Sequence, residues 1–243
     1  MSDFNKNENM KVVGFFGQSG SGKTTIIRNV DKRINGHIVV QNTGIIRYLF
    51  KKNNYYKNPL SIIADEQKAI DATPPEERDD KIASVYEIYI RSQIRLLNDW
   101  STEVYIATKE KCAKPTILLL DRSPIDFYVI TICGIQLLID AFGKELDSNA
   151  KYFIRLNKKI AEDNTNNFFD SIFITKPWSS SNINTLRDGI RDQYLSDNYT
   201  GDNWYSHYDT MEIKSDIKKF IIEESVTDLY KRAKFVSEKL KEI

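Results

Sequence analysis

The sequence predicts an α/β fold in which helices cover both faces of a central, parallel, five-stranded sheet. Two observations lead to this prediction. Short runs rich in β-branched and aromatic residues recur along the chain, and longer segments with helical periodicity separate them. Strands that alternate with helices are typical of parallel sheets with crossover helices. A chain of 243 residues, 41% of them hydrophobic, is long enough for one such domain with a sizeable core.

Five apolar runs are the predicted strands, and turn residues or charged residues bound each of them. They are Lys11–Phe16, His37–Gln41, Thr116–Leu120, Ser171–Thr175 and Lys219–Glu223. Residues 1–10 are polar and mixed in charge, so they are predicted to form a disordered leader before a single domain at residues 11–243.

The segments between these runs are predicted to form helices, most of them with one apolar face. They are Thr24–Ile34, Gly44–Lys52, Ser61–Ala72, Ile82–Lys111, Pro124–Phe142, Glu145–Asn164, Ile183–Tyr194 and Val226–Ile243. The segment Pro124–Phe142 is apolar almost all round, which predicts a deeply buried helix. Residues 178–210 are polar, with many Ser, Asn and Asp, and are predicted to form a lid.

Composition favours a soluble protein in a reducing compartment. The net charge is +1 and the mean hydropathy is -0.46, so no global basic field attracts nucleic acid. Cys112 and Cys133 belong to no metal-ligand pattern and are predicted to be free thiols. We find no apolar signal segment and expect no apolar run of membrane-spanning length. The expected location is the cytoplasm, which for a phage protein is that of the infected host.

The strongest chemical signal is the segment Gly17–Thr24 (GQSGSGKT), which matches the pattern G-x-x-x-x-G-K-[ST] in full. Its glycines allow backbone N–H groups to turn toward phosphate oxygens. Lys23 would reach the β- and γ-phosphates, and the Thr24 hydroxyl would bind Mg²⁺. This predicts a nucleoside triphosphate site, with ATP and Mg²⁺ as cofactors. The predicted nucleotide-binding residues are Gly17, Gln18, Ser19, Gly20, Ser21, Gly22, Lys23, Thr24 and Thr25.

A second signal is Asp121, which ends the predicted third strand and is followed by Arg122. A carboxylate at the tip of a central strand can bind the hydration shell of Mg²⁺ or accept a proton from an acceptor hydroxyl. Arg122 would contact the phosphate of an acceptor or the γ-phosphate. The alternative is a plain helix start, for which Ser123 is the expected cap and Pro124 suits the first turn.

A third signal is the pair Arg187 and Arg191, which would lie on one face of a short helix in the predicted lid. Arginines over a triphosphate neutralise charge and exclude water during phosphoryl transfer. The alternative is a solvated, charged helix.

Three weaker candidates are Arg47, Gln93 and Tyr86. Arg47 follows the second strand, where an acceptor could bind. Gln93 is expected on the solvent face and Tyr86 in the core, although either could contact a base. His37 and His207 have no partner at ligand spacing and are not expected to be catalytic.

Together the three motifs resemble those of the P-loop nucleoside and nucleotide kinases, a group that includes thymidylate kinase and the deoxynucleoside kinases. In that group the third strand ends in an acidic residue followed by Arg, as at Asp121 and Arg122. The closer resemblance is to nicotinamide riboside kinase-like ATPase domains and related phage kinases. It is carried by DRSPIDFYVIT (Asp121–Thr131), the DGIR phrase (Asp188–Arg191) and IRSQIRLL (Ile90–Leu97).

The resemblance implies a three-layer P-loop NTPase fold and transfer of the γ-phosphate of ATP to a nucleoside, nucleotide or related acceptor. Lys23, Asp121, Arg122, Arg187 and Arg191 would be the catalytic residues, and Thr24 and Asp121 the metal ligands. The expected partners are small molecules and a second copy of the chain in a homodimer, with no membrane.

Two alternatives stay open. The first is a kinase that acts on nucleic acid, at a 5′-hydroxyl end or a hydroxylated base, through basic and aromatic segments such as Arg155–Lys159 and Trp204–Tyr208. The second is a regulatory NTPase. A guanine-specific switch is disfavoured because neither NKKI (Asn157–Ile160) nor TKPW (Thr175–Trp178) completes an Asn-Lys-x-Asp motif.

Overall fold

The structure is a computed structural model. It describes residues 7–17, 21–53, 59–109, 114–176, 201–223 and 225–243, with the side chains of 201–204 left out. Within these residues the chain forms an α/β fold with a mostly parallel sheet of six strands. The strands are β1 (Met10–Phe16), β2 (Arg33–Ile34), β3 (His37–Asn42), β4 (Thr116–Leu120), β5 (Ser171–Thr175) and β6 (Lys218–Ile222).

The helices that connect these strands vary widely in length. They are α1 (Lys23–Arg28), α2 (Ile45–Lys52), α3 (Pro59–Ala72), α4 (Pro75–Lys109), α5 (Pro124–Phe142), α6 (Ser148–Phe168), α7 (Gly201–Asp209) and α8 (Leu229–Lys239), and a 3₁₀ turn follows at Leu240–Glu242. The predicted bounds of α5 are confirmed, because Ser123 and Asp126 form a capping box at its start and Gly143, with φ 68°, ends it.

The strand order across the sheet is β2-β3-β4-β1-β5-β6. β1 lies at the centre between β4 and β5, and it is parallel to both. β3 and β6 continue the parallel sheet on either side. The carboxyl ends of β1, β3, β4 and β5 therefore meet along one edge, where ligands of open α/β sheets bind.

The predicted five-stranded sheet is wrong by one strand, because β2 pairs antiparallel with β3. The predicted helix Thr24–Ile34 ends at Arg28. Arg33 and Ile34 instead form β2, and a two-residue turn connects β2 to β3. Asn35 (φ 47°) and Gly36 (φ 82°) both have left-handed backbone conformations there. An Asn-Gly pair with two positive φ angles is the favoured hairpin turn, so the prediction that this pair ends a helix was wrong.

Several other predicted bounds differ from the structure. For example, α6 spans Ser148–Phe168, where Glu145–Asn164 was predicted, and α8 spans Leu229–Lys239, where Val226–Ile243 was predicted. β1 begins at Met10, which is 4% exposed, so the tenth residue belongs to the core and not to a leader. α4 begins at Pro75, ahead of the predicted Ile82. Thr73, followed by two prolines and acidic residues, is a helix-start signal in the sequence, and this signal is confirmed. The end of the segment that was predicted to form a lid is helical, as α7.

Alternate residues of the central strands enter two different hydrophobic clusters. Val12 and Phe16 belong to a cluster that also contains residues of α4, α5 and α6. Val13 and Phe15 belong to a second cluster with residues of α1 and α8. A third cluster joins α3, α4 and α5 around Tyr86. β1 is buried on both sides, which explains its almost continuous apolar sequence.

The expectation that no apolar run reaches membrane-spanning length was wrong. α5 has 19 residues and is long and apolar enough to cross a membrane by composition, the one such helix in the described part of the chain. However, 61% of the apolar 18-residue stretch of this helix is buried inside the fold. Such burial is typical of the core helix of a soluble protein, as the sequence predicted for this segment.

Candidate functional site

The candidate site lies where the loop after β1 meets the ends of β4 and β5. Gly17 follows β1 directly, Asp121 follows β4, and Thr175 is the last residue of β5. The backbone N–H of Asp121 also donates to the carbonyl of Asn42, the last residue of β3 (3.3 Å). The sheet thus brings four segments that are distant in sequence to one edge.

The loop requires glycine at two described positions. Gly17 has φ +151°, and a Cβ atom there would lie 2.5 Å from the carbonyl oxygen of Thr175. Gly22 has φ 84° and ψ 4°, a left-handed conformation, at the start of α1. Any larger side chain at Gly17 would push the loop away from β5. Gln18, Ser19 and Gly20 lie outside the described residues.

The side chain of Lys23 folds back over this loop and is only 5% exposed. Its ammonium donates to the Gly17 carbonyl and lies 3.4 Å from the Ser21 hydroxyl oxygen. A buried ammonium is costly unless it has polar partners, and the Gly17 carbonyl and the Ser21 hydroxyl are two such partners. By contrast, Thr25 is exposed on α1, and its carbonyl accepts a bond from the side chain of Asn29.

Thr24 and Asp121 come together across the edge of the sheet. The Thr24 hydroxyl donates a hydrogen bond to Oδ2 of Asp121. Both side chains are half-buried, so a hydrated cation can reach their oxygens. In the part of the chain that is described, no three His, Cys, Asp or Glu side chains cluster to hold a metal ion. A hydroxyl and one carboxylate suit Mg²⁺, which keeps several waters and binds few protein ligands.

Arg122 lies between the loop and the start of α5. Its Nη1 donates to Oδ1 of Asp126 (3.2 Å) and to the Gly17 carbonyl (3.4 Å). The guanidinium and the Lys23 ammonium therefore converge on one carbonyl oxygen. Arg122 keeps 21% of its side chain exposed, so it can still reach a ligand.

Asp126 is a residue that sequence reasoning missed. Its carboxylate is fully buried, and it accepts bonds from the backbone N–H of Gly17 (3.2 Å) and from both the N–H and the hydroxyl of Ser123 (2.8 and 3.0 Å). The Ser-x-x-Asp spacing at a helix start indicated a capping box. The contact with Gly17 had no signal in the sequence, because 109 positions separate the two residues.

Arg232, on α8, is a second residue that the sequence did not reveal. Its side chain is fully buried beneath the loop. The guanidinium donates to the carbonyls of Ser21 (3.3 Å), Lys176 (2.9 Å) and Glu223 (3.1 Å), and also to that of Val226. Arg232 thus connects the loop after β1 to the segments that follow β5 and β6.

A pocket of about 160 Å³ opens beside Asp121, between the ends of β3 and β4 and the start of α2. Its lining combines polar side chains with the apolar surface of Ile45, Ile46, Trp100 and Leu120. The polar side chains are those of Thr24, Asn42, Thr43, Arg47, Asp121 and Arg122. Arg47, predicted near an acceptor, does lie in this lining.

Helix α7 packs at the end of β1, beside the loop. The Tyr205 hydroxyl donates to the Thr175 carbonyl (2.5 Å), and the rings of Phe16 and Tyr208 lie 5.0 Å apart. Burial raises the pKa of Tyr208 and lowers that of His207, whose ring meets Tyr128 edge-on. In this contact the His207 ring packs against the Tyr128 ring.

The remaining candidates have different outcomes. Arg187 and Arg191, with the predicted helix Ile183–Tyr194, lie outside the described residues. Tyr86 is fully buried, and its hydroxyl donates to the Lys144 carbonyl (2.9 Å), which confirms the core prediction. Burial raises the pKa of Tyr86 to about 12. Gln93 was expected on the solvent face, but it is only 2% exposed because that side of α4 packs inward.

The two cysteines also differ. Cys133 is a reduced thiol that is buried in α5, and burial raises its pKa to about 12, which disfavours the reactive thiolate. Cys112 lies outside the described residues.

No model of a known protein family matches this chain, and no curated protein sequence matches it either.

Proposed function

We propose that the protein binds ATP with Mg²⁺ at the loop after β1 and transfers the γ-phosphate to a nucleoside, a nucleotide or a related acceptor. In this proposal the fold is a three-layer P-loop NTPase fold, similar to that of the P-loop nucleoside and nucleotide kinases. One observation carries the proposal: the Thr24 hydroxyl donates to the Asp121 carboxylate, next in sequence to a buried Lys23 whose ammonium donates to the Gly17 carbonyl.

The fit to a nucleoside triphosphate rests on the backbone of the loop. The missing Cβ atom at Gly17 lets the start of the loop lie against the Thr175 carbonyl at the end of β5, and Gly22 has a left-handed conformation at the start of α1. Lys23 supplies a buried positive charge that would exchange the Gly17 carbonyl for phosphate oxygens. The two core clusters, one on each side of β1, support the three-layer architecture.

The fit to Mg²⁺ rests on the oxygens of Thr24 and Asp121, which would bind the ion directly or through its waters. When bound, Mg²⁺ neutralises negative charge on the phosphates. Side chains of the protein supply the other contacts with the phosphates. Lys23 and Arg122 hold phosphate oxygens in place, and positioning with charge stabilisation supplies most of the catalysis in phosphoryl transfer.

The pocket beside Asp121 is the proposed acceptor site. An acceptor hydroxyl there would lie next to a carboxylate that can orient it or take its proton. Arg47 and Arg122, both in the lining, would bind an acceptor that carries phosphate. Asn42 and Thr43 offer hydrogen bonds to a sugar or a base. A cytoplasmic location and a homodimer stay predictions.

A kinase that acts on nucleic acid is the second candidate, and the surface of α2 favours it. Arg47, Tyr48, Lys51 and Lys52 are exposed there, and the Lys52 ammonium lies 5.4 Å from the centre of the Tyr48 ring. Exposed cations next to an aromatic ring suit a single strand. The basic segment that we had suggested on α6 is less suitable, because Lys158 and Lys159 pair with Glu162 and Asp163.

A transfer screen with γ-³²P-ATP tests the proposal. The acceptors are nucleosides, deoxynucleoside monophosphates, nicotinamide riboside, 5′-hydroxyl oligonucleotides and DNA with hydroxymethylated bases. We expect label on one of these classes, and no label with Lys23→Ala. Label on an oligonucleotide alone would favour the second candidate. Label in free phosphate alone would contradict a kinase and favour a regulatory NTPase.

A further inference from the structure

We propose that Asp126 is a positioning residue that holds the first residue of the phosphate-binding loop and Arg122 in one fixed arrangement. The inference rests on the proposed function and adds a residue that none of the three sequence motifs assigns. It starts from the position of Asp126 in the first turn of α5, where the side chain is fully buried.

The contacts of this carboxylate divide between the loop and the turn after β4. Oδ1 accepts bonds from the backbone N–H of Gly17 (3.2 Å) and from Nη1 of Arg122 (3.2 Å). Oδ2 accepts bonds from the N–H and the hydroxyl of Ser123. A carboxylate that only capped α5 would need the Ser123 contacts alone.

Gly17 is consequently held on both sides. Its N–H donates to Asp126, and its carbonyl accepts from Arg122 (3.4 Å) and from Lys23. Because Asp126 also binds Arg122, the guanidinium stays against the loop. Asp126 therefore sets the distance between the loop that would hold the donor phosphates and the turn that carries Asp121.

A role in positioning and a role through charge alone predict opposite effects of Asp126 substitution on anion binding, so binding measurements distinguish the two. A buried negative charge beside a phosphate site repels the ligand, so removing that charge alone should strengthen the binding of an anion. Loss of positioning should weaken it. The substitution Asp126→Asn would also place a side-chain NH₂ group opposite groups that themselves donate hydrogen bonds. Depending on the orientation of the amide, this NH₂ group would face the Gly17 N–H or the Ser123 N–H.

The experiment measures the binding of Mg²⁺–tripolyphosphate and of Mg²⁺–ATP by calorimetry. The variants are Asp126→Asn, Arg122→Ala and the double variant. Asp140→Asn is the matched control, because Asp140 is exposed near the end of the same helix. We expect Asp126→Asn to weaken both ligands about tenfold to 100-fold. The affinity of the double variant should be no lower than that of the single variant with the larger loss, because both residues act through one arrangement.

Ser123→Ala provides a milder variant if Asp126→Asn does not fold. It removes the hydroxyl bond to Oδ2 and leaves the charge, so we expect a smaller loss in the same direction. Unchanged or tighter binding in the folded variants, or losses that multiply in the double variant, would overturn the positioning role while ATP binding stands. Failure of the unmodified protein to bind either ligand would overturn the proposed function and this inference together.

Discussion

The Thr24 hydroxyl donates a hydrogen bond to the carboxylate of Asp121, a residue 97 positions further along the chain. The bond joins the first turn of α1 to the end of β4, and these are the two places where the sequence predicted metal ligands. The two predicted ligands are therefore in contact, and substitutions at either residue can test whether both bind the same Mg²⁺ ion.

Substitution at either end of this bond should weaken the metal dependence of nucleotide binding. We expect Thr24→Val and Asp121→Asn each to raise the Mg²⁺ concentration for half-maximal ATP binding by about tenfold. The double variant should lose little more, because the two residues serve one ion. A fluorescence titration of Mg²⁺ with an ATP analogue measures this, with Thr102→Val, at an exposed threonine of α4, as the control. If Asp121→Asn keeps its metal affinity but loses transfer, Asp121 serves the acceptor instead.

Alanine at Gly17 should destabilise the protein as well as the site. The new Cβ would lie 2.5 Å from the Thr175 carbonyl oxygen, in a backbone conformation with φ +151°. Backbone strain of this kind costs about 1–3 kcal/mol. Gly44→Ala is the matched control, because its Cβ would meet no atom within 4 Å. Urea denaturation should show a lower free energy of unfolding for Gly17→Ala only, and equal values would argue against the packed loop.

Loss of the buried guanidinium of Arg232 should be costly. Arg232→Met leaves the carbonyls of Ser21, Lys176 and Glu223 without this donor. A single unsatisfied buried group costs about 1–3 kcal/mol, so we expect a loss of at least about 2 kcal/mol in the free energy of unfolding. Lys234→Met, on the exposed face of the same helix, should have little effect. Similar denaturation midpoints for the two variants would contradict a structural role for Arg232.

Stability should fall in mild acid, partly through His207. Burial lowers the pKa of His207 below its ordinary value of 6.5, so the unfolded chain binds a proton more readily than the folded one. The stability that comes from neutral His207 is therefore present above pH 6.5 and is lost as the pH falls through the folded-state pKa. We expect His207→Gln to flatten the dependence of unfolding free energy on pH between about 7.5 and 5. His37→Gln, the other histidine variant, gives the reference, and identical slopes would refute the assignment.

Local patterns predicted much of the fold. The strands Thr116–Leu120 and Ser171–Thr175 and the helix Pro124–Phe142 have the bounds that the sequence indicated. Their apolar runs and end signals are strong because each segment is buried and is bounded by turn or capping residues. The hairpin at Asn35 was missed, since the same dipeptide can end a helix or turn a strand.

The sequence by itself determined the chemistry of the loop: the glycines, Lys23 and Thr24 stand at a spacing that predicts phosphate binding. It also placed Asp121 at the end of a strand. Only the tertiary structure decided what surrounds these residues, namely Asp126 against Gly17 and Arg232 against Ser21. The reason is physical. A short motif encodes local backbone geometry, whereas buried polar partners across 109 and 211 positions are selected by how the sheet and helices pack.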